Sequence, residues 1–277
     1  MPDSPLRENP LQRLVRQVIV DPDAEQPLHG GNVSTGIVRI GDTVRRPAGP
    51  QTPAVHALLA HLHGAGFHHA PQPLGIDEQG REVLSYVAGE AVHPGRLDLL
   101  DDDRSLIEIG RLIRDFHDAA AEFTPPADAQ WWVAIPDVGA DLIVHHDLAP
   151  WNLIAADGSW TLIDWDTAAP GTRLWDLAYA AHGFVPLTAD PAAARGHPAR
   201  RLRVLVDAYG LDEAQRLRLV ELLPERTGSM HTMLAEQSAA GVEPWTTLWC
   251  EGHGRVWWDD TVYIAERTEI WTAALLG

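Results

Sequence analysis

The segment 143–154 constrains this chain more than any other, because it sets His145, Asp147 and Asn152 on one polar loop between two apolar, strand-like stretches. An Asp and an Asn five residues apart suit a catalytic loop in which the Asp faces an acceptor hydroxyl while the Asn turns back toward a metal ion. A second acidic site follows where Asp164 ends the short run Thr161, Leu162, Ile163, with Asp166 two residues further on. Asp176 then opens a helical pattern after Gly171. A three-residue motif arises by chance often enough to be only suggestive; the three elements in order point to the metal and base end of a phosphoryl-transfer site.

Hydropathy patterning places that site in an α+β chain. Residues 28–46 read as a β-hairpin in which Gly41 and Asp42 form the turn between β-branched runs. Thr52 and Pro53 supply N-cap and N1 residues for a helix whose Val55, Leu58, Leu59 and Leu62 share one face, ending at Gly64 and Gly66. Residues 75–87 form a second hairpin. From about Gly89 the period becomes helical, through Leu106, Ile107, Ile109, Leu112, Ile113 and Phe116, with a Pro-rich break at 124–126. Further helices are expected at 201–209, 212–223 and within the Trp-rich stretch 244–276. The expected organisation is a mostly antiparallel β lobe with one helix, residues 1–89, and a mostly helical lobe, residues 90–277, with a cleft between them.

Length and composition bound the remaining possibilities. A chain of 277 residues, 45% hydrophobic and 22% charged, can bury a large core. It has no run of about eighteen apolar residues that could span a bilayer. The first seven residues lack an apolar signal core, and the single cysteine, Cys250, excludes an internal disulfide framework and a multi-Cys zinc site. A cytoplasmic location is the expectation. The formal charge of −18, from 39 acidic and 21 basic side chains, disfavours nucleic acid and anionic membranes as partners and favours a cationic small molecule.

Phosphoryl transfer needs a triphosphate held, its charge neutralised and an acceptor aimed in line. Gly30 and Gly31 let backbone N–H groups approach phosphate oxygens, with the Ser34 and Thr35 hydroxyls as further donors. Arg45 or Arg46, at the end of the following strand, can pin the α- and β-phosphates. The two face opposite sides of that strand, so one of them reaches the cleft, and we take Arg45 as the candidate. Protein kinases use a Lys there, paired with a Glu on the next helix, whereas the helix over 52–66 has no acidic residue. His56, Gln51 or a more distant carboxylate must then orient the Arg. Asp147 is assigned to the acceptor hydroxyl, and Asn152 and Asp164 to Mg²⁺ as hard oxygen ligands. Asp166 is either an outer carboxylate or a turn residue, His145 braces the loop, and Asp176 caps a helix while tying nearby backbone amides.

The run His145 to Asn152, then Ile163 to Asp166, then Gly171 to Ala178, resembles the aminoglycoside phosphotransferase family of small-molecule kinases. The resemblance extends from about Leu28 to Ala178. It implies a bilobal, protein-kinase-like fold and ATP- and Mg²⁺-dependent phosphorylation of a hydroxyl on an antibiotic, an amino alcohol of the choline type, homoserine or a sugar. It also implies that Ser85, Tyr86 and Val87 form the inter-lobe linker that hydrogen-bonds adenine. His146 departs from the small Gly or Asn usual at that loop position.

The expected acceptor is a polycationic antibiotic such as an aminoglycoside or a basic peptide. Trp131, Trp132, Trp245, Trp249, Trp257 and Trp258 are candidates for stacking on it, and Glu243, Glu251, Asp259 and Asp260 for an ammonium-binding rim. Competing readings are a metabolic small-molecule kinase, a nucleotide-binding regulator without turnover, and a metal hydrolase built on His145, His146 and Asp147. His61, His63, His68 and His69 cluster at a helix end and read as a solvated terminus more readily than as a metal site.

Overall fold

The computed structural model describes residues 24–28, 36–137, 139–156 and 158–277. Gly30, Gly31, Ser34 and Thr35, the expected phosphate loop, lie outside the described residues.

A five-stranded antiparallel sheet opens the fold, in the order β1-β2-β3-β5-β4. Its strands are β1 (Gln26–Pro27), β2 (Val38–Ile40), β3 (Thr43–Pro47), β4 (Pro73–Ile76) and β5 (Arg81–Ser85). The β2–β3 turn uses Gly41 at φ 56°, a backbone region open to glycine at little cost. In the β4–β5 turn Asp77 Oδ1 accepts the Gln79 and Arg81 amides at 2.9 Å each, so both hairpins fall where the turn residues place them.

Between β3 and β4 runs α1 (Thr52–Gly64), which buries Val55, Leu58, Leu59 and Leu62, the face expected from their spacing. Its start differs from expectation by one residue. Gln51 is the N-cap, and Thr52 lies inside the first turn with its hydroxyl accepting the Gly49 amide at 2.9 Å. A hydroxyl that serves the preceding loop cannot also cap the helix.

The rest of the chain is mainly helical: α2 (Asp103–Ala121), α3 (Arg173–Phe184), α4 (Pro198–Tyr209), α5 (Glu213–Ala239), α6 (Trp245–Cys250), α7 (His253–Ala265) and α8 (Thr268–Leu276). One hydrophobic cluster joins Leu58 and Leu62 of α1 to Ile109, Ile113 and Phe116 of α2, Leu177 and Phe184 of α3, and Leu202 and Leu205 of α4. Gly110 of α2 is needed for close approach, since a Cβ there would stand 2.7 Å from the Leu205 carbonyl oxygen. The sequence signals stop a helix at Leu223, before Pro224, but α5 continues for sixteen residues beyond it. A proline removes one i→i−4 hydrogen bond. Here Leu219, Val220, Leu222 and Leu223 before it and Arg226, Thr227, Met233 and Leu234 after it are all buried, and that packing outweighs the lost bond.

Two small sheets position the polar loop. β7 (Leu142–Val144) pairs antiparallel with β10 (Ala169–Gly171), while β8 (Leu153–Ala156) pairs with β9 (Ser159–Leu162) and with β6 (Glu90–Ala91). The polar loop spans the gap between β7 and β8.

Candidate active site

The loop after β7 is anchored by its apolar residues. Leu148 and Ala149 are buried, and a single 3-10 turn over Pro150–Asn152 leads into β8. Of the polar residues beside them, His145, His146 and Asn152 are buried and Asp147 is partly exposed. Asn152 donates through Nδ2 to Asp147 Oδ2 at 2.7 Å and to the Asp147 carbonyl at 2.9 Å, which spends its amide nitrogen on the loop and leaves Oδ1 for another partner. Ile163 ties the next element in: its N–H donates to the Asn152 carbonyl at 2.9 Å and its own carbonyl accepts from His145 Nε2 at 3.1 Å. Asp164 follows at φ 62° with its side chain 45% exposed. Asp147, Asn152 and Asp164 thus belong to one hydrogen-bonded junction between β7, β8 and β9.

Asp176 holds that junction from behind. Its carboxylate, wholly buried, accepts the His145 amide at 3.0 Å, the His146 amide at 2.8 Å and His117 Nε2 at 3.1 Å. The helix-capping role expected of it falls instead to Thr172, whose side chain accepts the Trp175 amide at 3.3 Å. His117 Nδ1 faces the Tyr209 hydroxyl at 2.8 Å, so a neutral ring that donates to Asp176 and accepts from Tyr209 satisfies both nitrogens.

Burial holds the His117 and His146 imidazoles below their ordinary value of 6.5. Burial alone would raise Asp176, but the His117 hydrogen bond and the neighbouring imidazoles outweigh it and hold the carboxylate below 3.8. Both directions give the same consequence on acidification. Below pH 6.5 the unfolded chain takes up protons that the buried histidines refuse, and near and below 3.8 it takes up a further one that Asp176 refuses. Unfolding free energy is expected to fall as pH drops from about 7 to 5, by up to about 1.4 kcal/mol per pH unit for each histidine. Urea titrations across that range check it; a flat profile rules it out.

On the sheet side the residue that reaches the site is Arg46, not Arg45. Arg46 is buried and contacts Glu82 at 3.2 Å, Asp164 Oδ1 at 3.2 Å and Asp166. Arg45 turns to the other face of β3 and pairs with Asp77 at 3.5 Å. Strand alternation allows one of the two into the site, and the β3–β5 register, which sets Arg46 opposite Glu82, decides which. Glu82 is the more distant carboxylate that the acid-free helix requires, and His56 of α1 braces it through Nε2 at 2.8 Å. Sequence reasoning missed Glu82, although pairing the two hairpins residue by residue would have found it.

The linker is partly committed. Ser85 donates its amide to the Gln72 carbonyl at 2.9 Å and Tyr86 to the Asp42 carbonyl at 2.8 Å, while the Arg39 guanidinium lies 3.7 Å over the Tyr86 ring. Two of the three amides expected to meet adenine are therefore engaged within the sheet region, and Val87 is the member of the trio whose amide has no protein acceptor among the described residues.

The acidic rim expected of the last helices is mostly spent on structure. Asp260 is buried and accepts from His182, Thr188 and the Ala189 amide; Asp259 pairs with Arg255, and Glu243 accepts from Thr247. The tryptophans do build a wall: Trp257 stacks on His182 at 4.5 Å and on Tyr179 at 6.1 Å, while His231 lies between the exposed Trp249 and Trp258. Trp151, on the loop between β7 and β8, is also exposed.

His145 Nε2 and His146 Nε2 face the carbonyls of Ile163 and Pro170, which is not the convergence a metal hydrolase needs. Among the described residues no three His, Cys, Asp or Glu side chains gather around a common point, and the four histidines at the α1 end contact backbone carbonyls or one another. The Asn152 Oδ1 and Asp164 oxygens do fit Mg²⁺, which takes one or two protein oxygens and completes its shell with phosphate and water.

An antiparallel sheet carrying a buried Arg–Glu pair, set against a helical body with an Asp–Asn loop, is a protein-kinase-like arrangement, and comparisons agree. The structure is similar to that of a choline/ethanolamine kinase family protein from Mesorhizobium loti, with TM-score 0.62, 17% identity and coverage of 92% of this chain and 93% of that one. It is similar also to aminoglycoside 2'-phosphotransferase-IIIa in its GDP complex, with TM-score 0.59, 14% identity and coverage of 86% and 92%. The phosphotransferase enzyme family model matches residues 28–134 and 124–220, and the chain belongs to that family. The trifolitoxin immunity protein of Rhizobium leguminosarum bv. trifolii is 35% identical over 229 residues, which are 78% of this chain and 85% of that protein. No helix among the described residues is long and apolar enough to cross a membrane.

Proposed function

We propose that this protein transfers the γ-phosphoryl group of ATP to a hydroxyl of a small, cationic antibiotic or toxin. The observation that carries the reading is the Asp147–Asn152 pair, bonded at 2.7 Å and joined through Ile163 to Asp164, with Arg46 on the facing sheet. Nucleotide binding alone does not call for all of these groups together.

Each has a place in the transfer. The acceptor oxygen attacks the γ-phosphorus, its proton passes to Asp147, and the bond from phosphorus to the β,γ-bridging oxygen breaks, with ADP leaving on that electron pair. Asn152 fixes the Asp147 carboxylate toward the acceptor. Arg46, paired with Glu82, which His56 braces, would turn its planar fork from Asp164 and Asp166 to the phosphates when nucleotide is bound. Asn152 and Asp164 would hold Mg²⁺, which supplies charge neutralisation on the phosphates when bound. The cationic acceptor is favoured by the net charge of −18, and an antibiotic-type acceptor by the 35% identical relative named for toxin immunity.

A panel of aminoglycosides, basic peptide antibiotics, amino alcohols and neutral sugars, incubated with ATP and Mg²⁺ and scored for phosphate addition by mass, tests this. Phosphorylation of a cationic antibiotic is expected. Transfer to neutral sugars alone refutes the acceptor class, and absence of both transfer and ATP turnover refutes the reaction.

A further inference from the structure

Arg226 of α5 is a buried cation under the catalytic loop. It is 2% exposed and has no carboxylate within salt-bridge reach among the described residues. Its guanidinium donates through Nη2 to the His146 carbonyl at 3.0 Å and through Nη1 to Ser229 Oγ at 3.4 Å, while its Nε has no partner. The rings of Tyr179 and Trp175 lie beneath it, 4.3 and 5.4 Å from Cζ. Burying a guanidinium without a counter-ion is costly, and packing α5 onto α3 does not need one.

The group it touches is the strained residue of the loop. His146 has φ 64°, a conformation that L side chains adopt at a steric cost and that persists only where neighbours over-determine it. Its N–H is held by Asp176 Oδ1 at 2.8 Å and its carbonyl by Arg226 at 3.0 Å, two buried ions of opposite sign on the two sides of one residue. Asp147 is the next residue. Tyr179, whose ring faces Arg226, is buried; burial first, and the Asp147 charge second, push its phenol well above the ordinary value.

We propose that Arg226 is a positioning residue for Asp147: with Asp176 it clamps His146 in the left-handed turn that aims the Asp147 carboxylate at the acceptor. This rests on the phosphotransfer reading above. It gives the long, proline-interrupted helix a direct part in the chemistry, through a residue beyond the stretch whose motifs carry the family resemblance.

Arg226→Met keeps the apolar stem and removes the charge and the donors. Turnover is expected to fall about 100-fold, the cost of a misplaced reacting group, with the KM for ATP changed less than about twofold. Arg226→Lys, which retains the cation and one donor, is expected to lose about tenfold or less. In a His146→Gly background the left-handed turn carries no steric cost, so Arg226→Met there should cost less than about tenfold. An equal loss in both backgrounds, or a raised KM at constant turnover, overturns the proposal. If Arg226→Met does not fold, Arg226→Lys with and without His146→Gly makes the same comparison.

Amide hydrogen exchange at His146 and Asp147 is read in parallel, and is expected to quicken about tenfold more than at α2 when Arg226 is replaced. Wild-type protein that transfers no phosphate refutes the phosphotransfer reading alone. Unchanged exchange sinks the clamp whatever the chemistry.

Discussion

Asp147→Ala is expected to lower phosphoryl transfer by about a thousandfold or more, the upper range for loss of a positioned general base, while nucleotide affinity stays within about twofold. The separation of effects follows from geometry. Asp147 bonds to Asn152 on the loop between β7 and β8, whereas Arg46, proposed to meet the phosphates, belongs to β3 of the sheet. Removing the carboxylate also frees Asn152 Nδ2, so Asp147→Asn is the sharper comparison: it keeps the volume and loses the proton acceptor. Single-turnover transfer and equilibrium nucleotide titration on the same preparations separate the two quantities. Turnover within tenfold of wild type would remove Asp147 from the reaction; a collapse of nucleotide binding would make it a scaffold residue.

The largest stability effect is expected at Asp176. Its carboxylate is fully buried and accepts two backbone amides and His117. Asp176→Ala leaves those three donors buried without partners, and since each unsatisfied buried donor costs about 1–3 kcal/mol, a loss of about 3 kcal/mol or more is expected. Asp176→Asn retains an acceptor oxygen and is expected to cost less. Activity falls in both, because the His145 and His146 amides set the course of the loop. Chemical denaturation midpoints for the two variants check the order; a change in Asp176→Ala below about 1 kcal/mol would show that water or a shifted backbone replaces the carboxylate.

The opening β-hairpins, α1 and the Asp147–Asn152 loop were legible in the sequence because each is specified over a short window. A Gly-Asp turn between β-branched residues, a four-residue apolar face, and an Asp five residues before an Asn are local facts, and local sterics and hydrogen bonding act on them directly. Errors arose where one residue had two local options. Thr52 served the loop before it and did not cap the helix, and Pro224 was absorbed by a helix whose burial on both sides outweighed one missing bond.

What the sequence alone determined is therefore the two hairpins and most of the helices, the family-like spacing of the loop and the chemical kinds of its side chains. Tertiary structure alone decided that Arg46 and not Arg45 faces Asp164, that Glu82 supplies the acid absent from α1, that the amides expected to be tied by Asp176 are those of His145 and His146, and that Arg226 arrives beneath His146 from eighty residues downstream. The physical reason is range. Periodicity and turn chemistry act between neighbours in the chain, while partners for buried charges are assigned by sheet register and helix packing, which depend on the whole core closing at once.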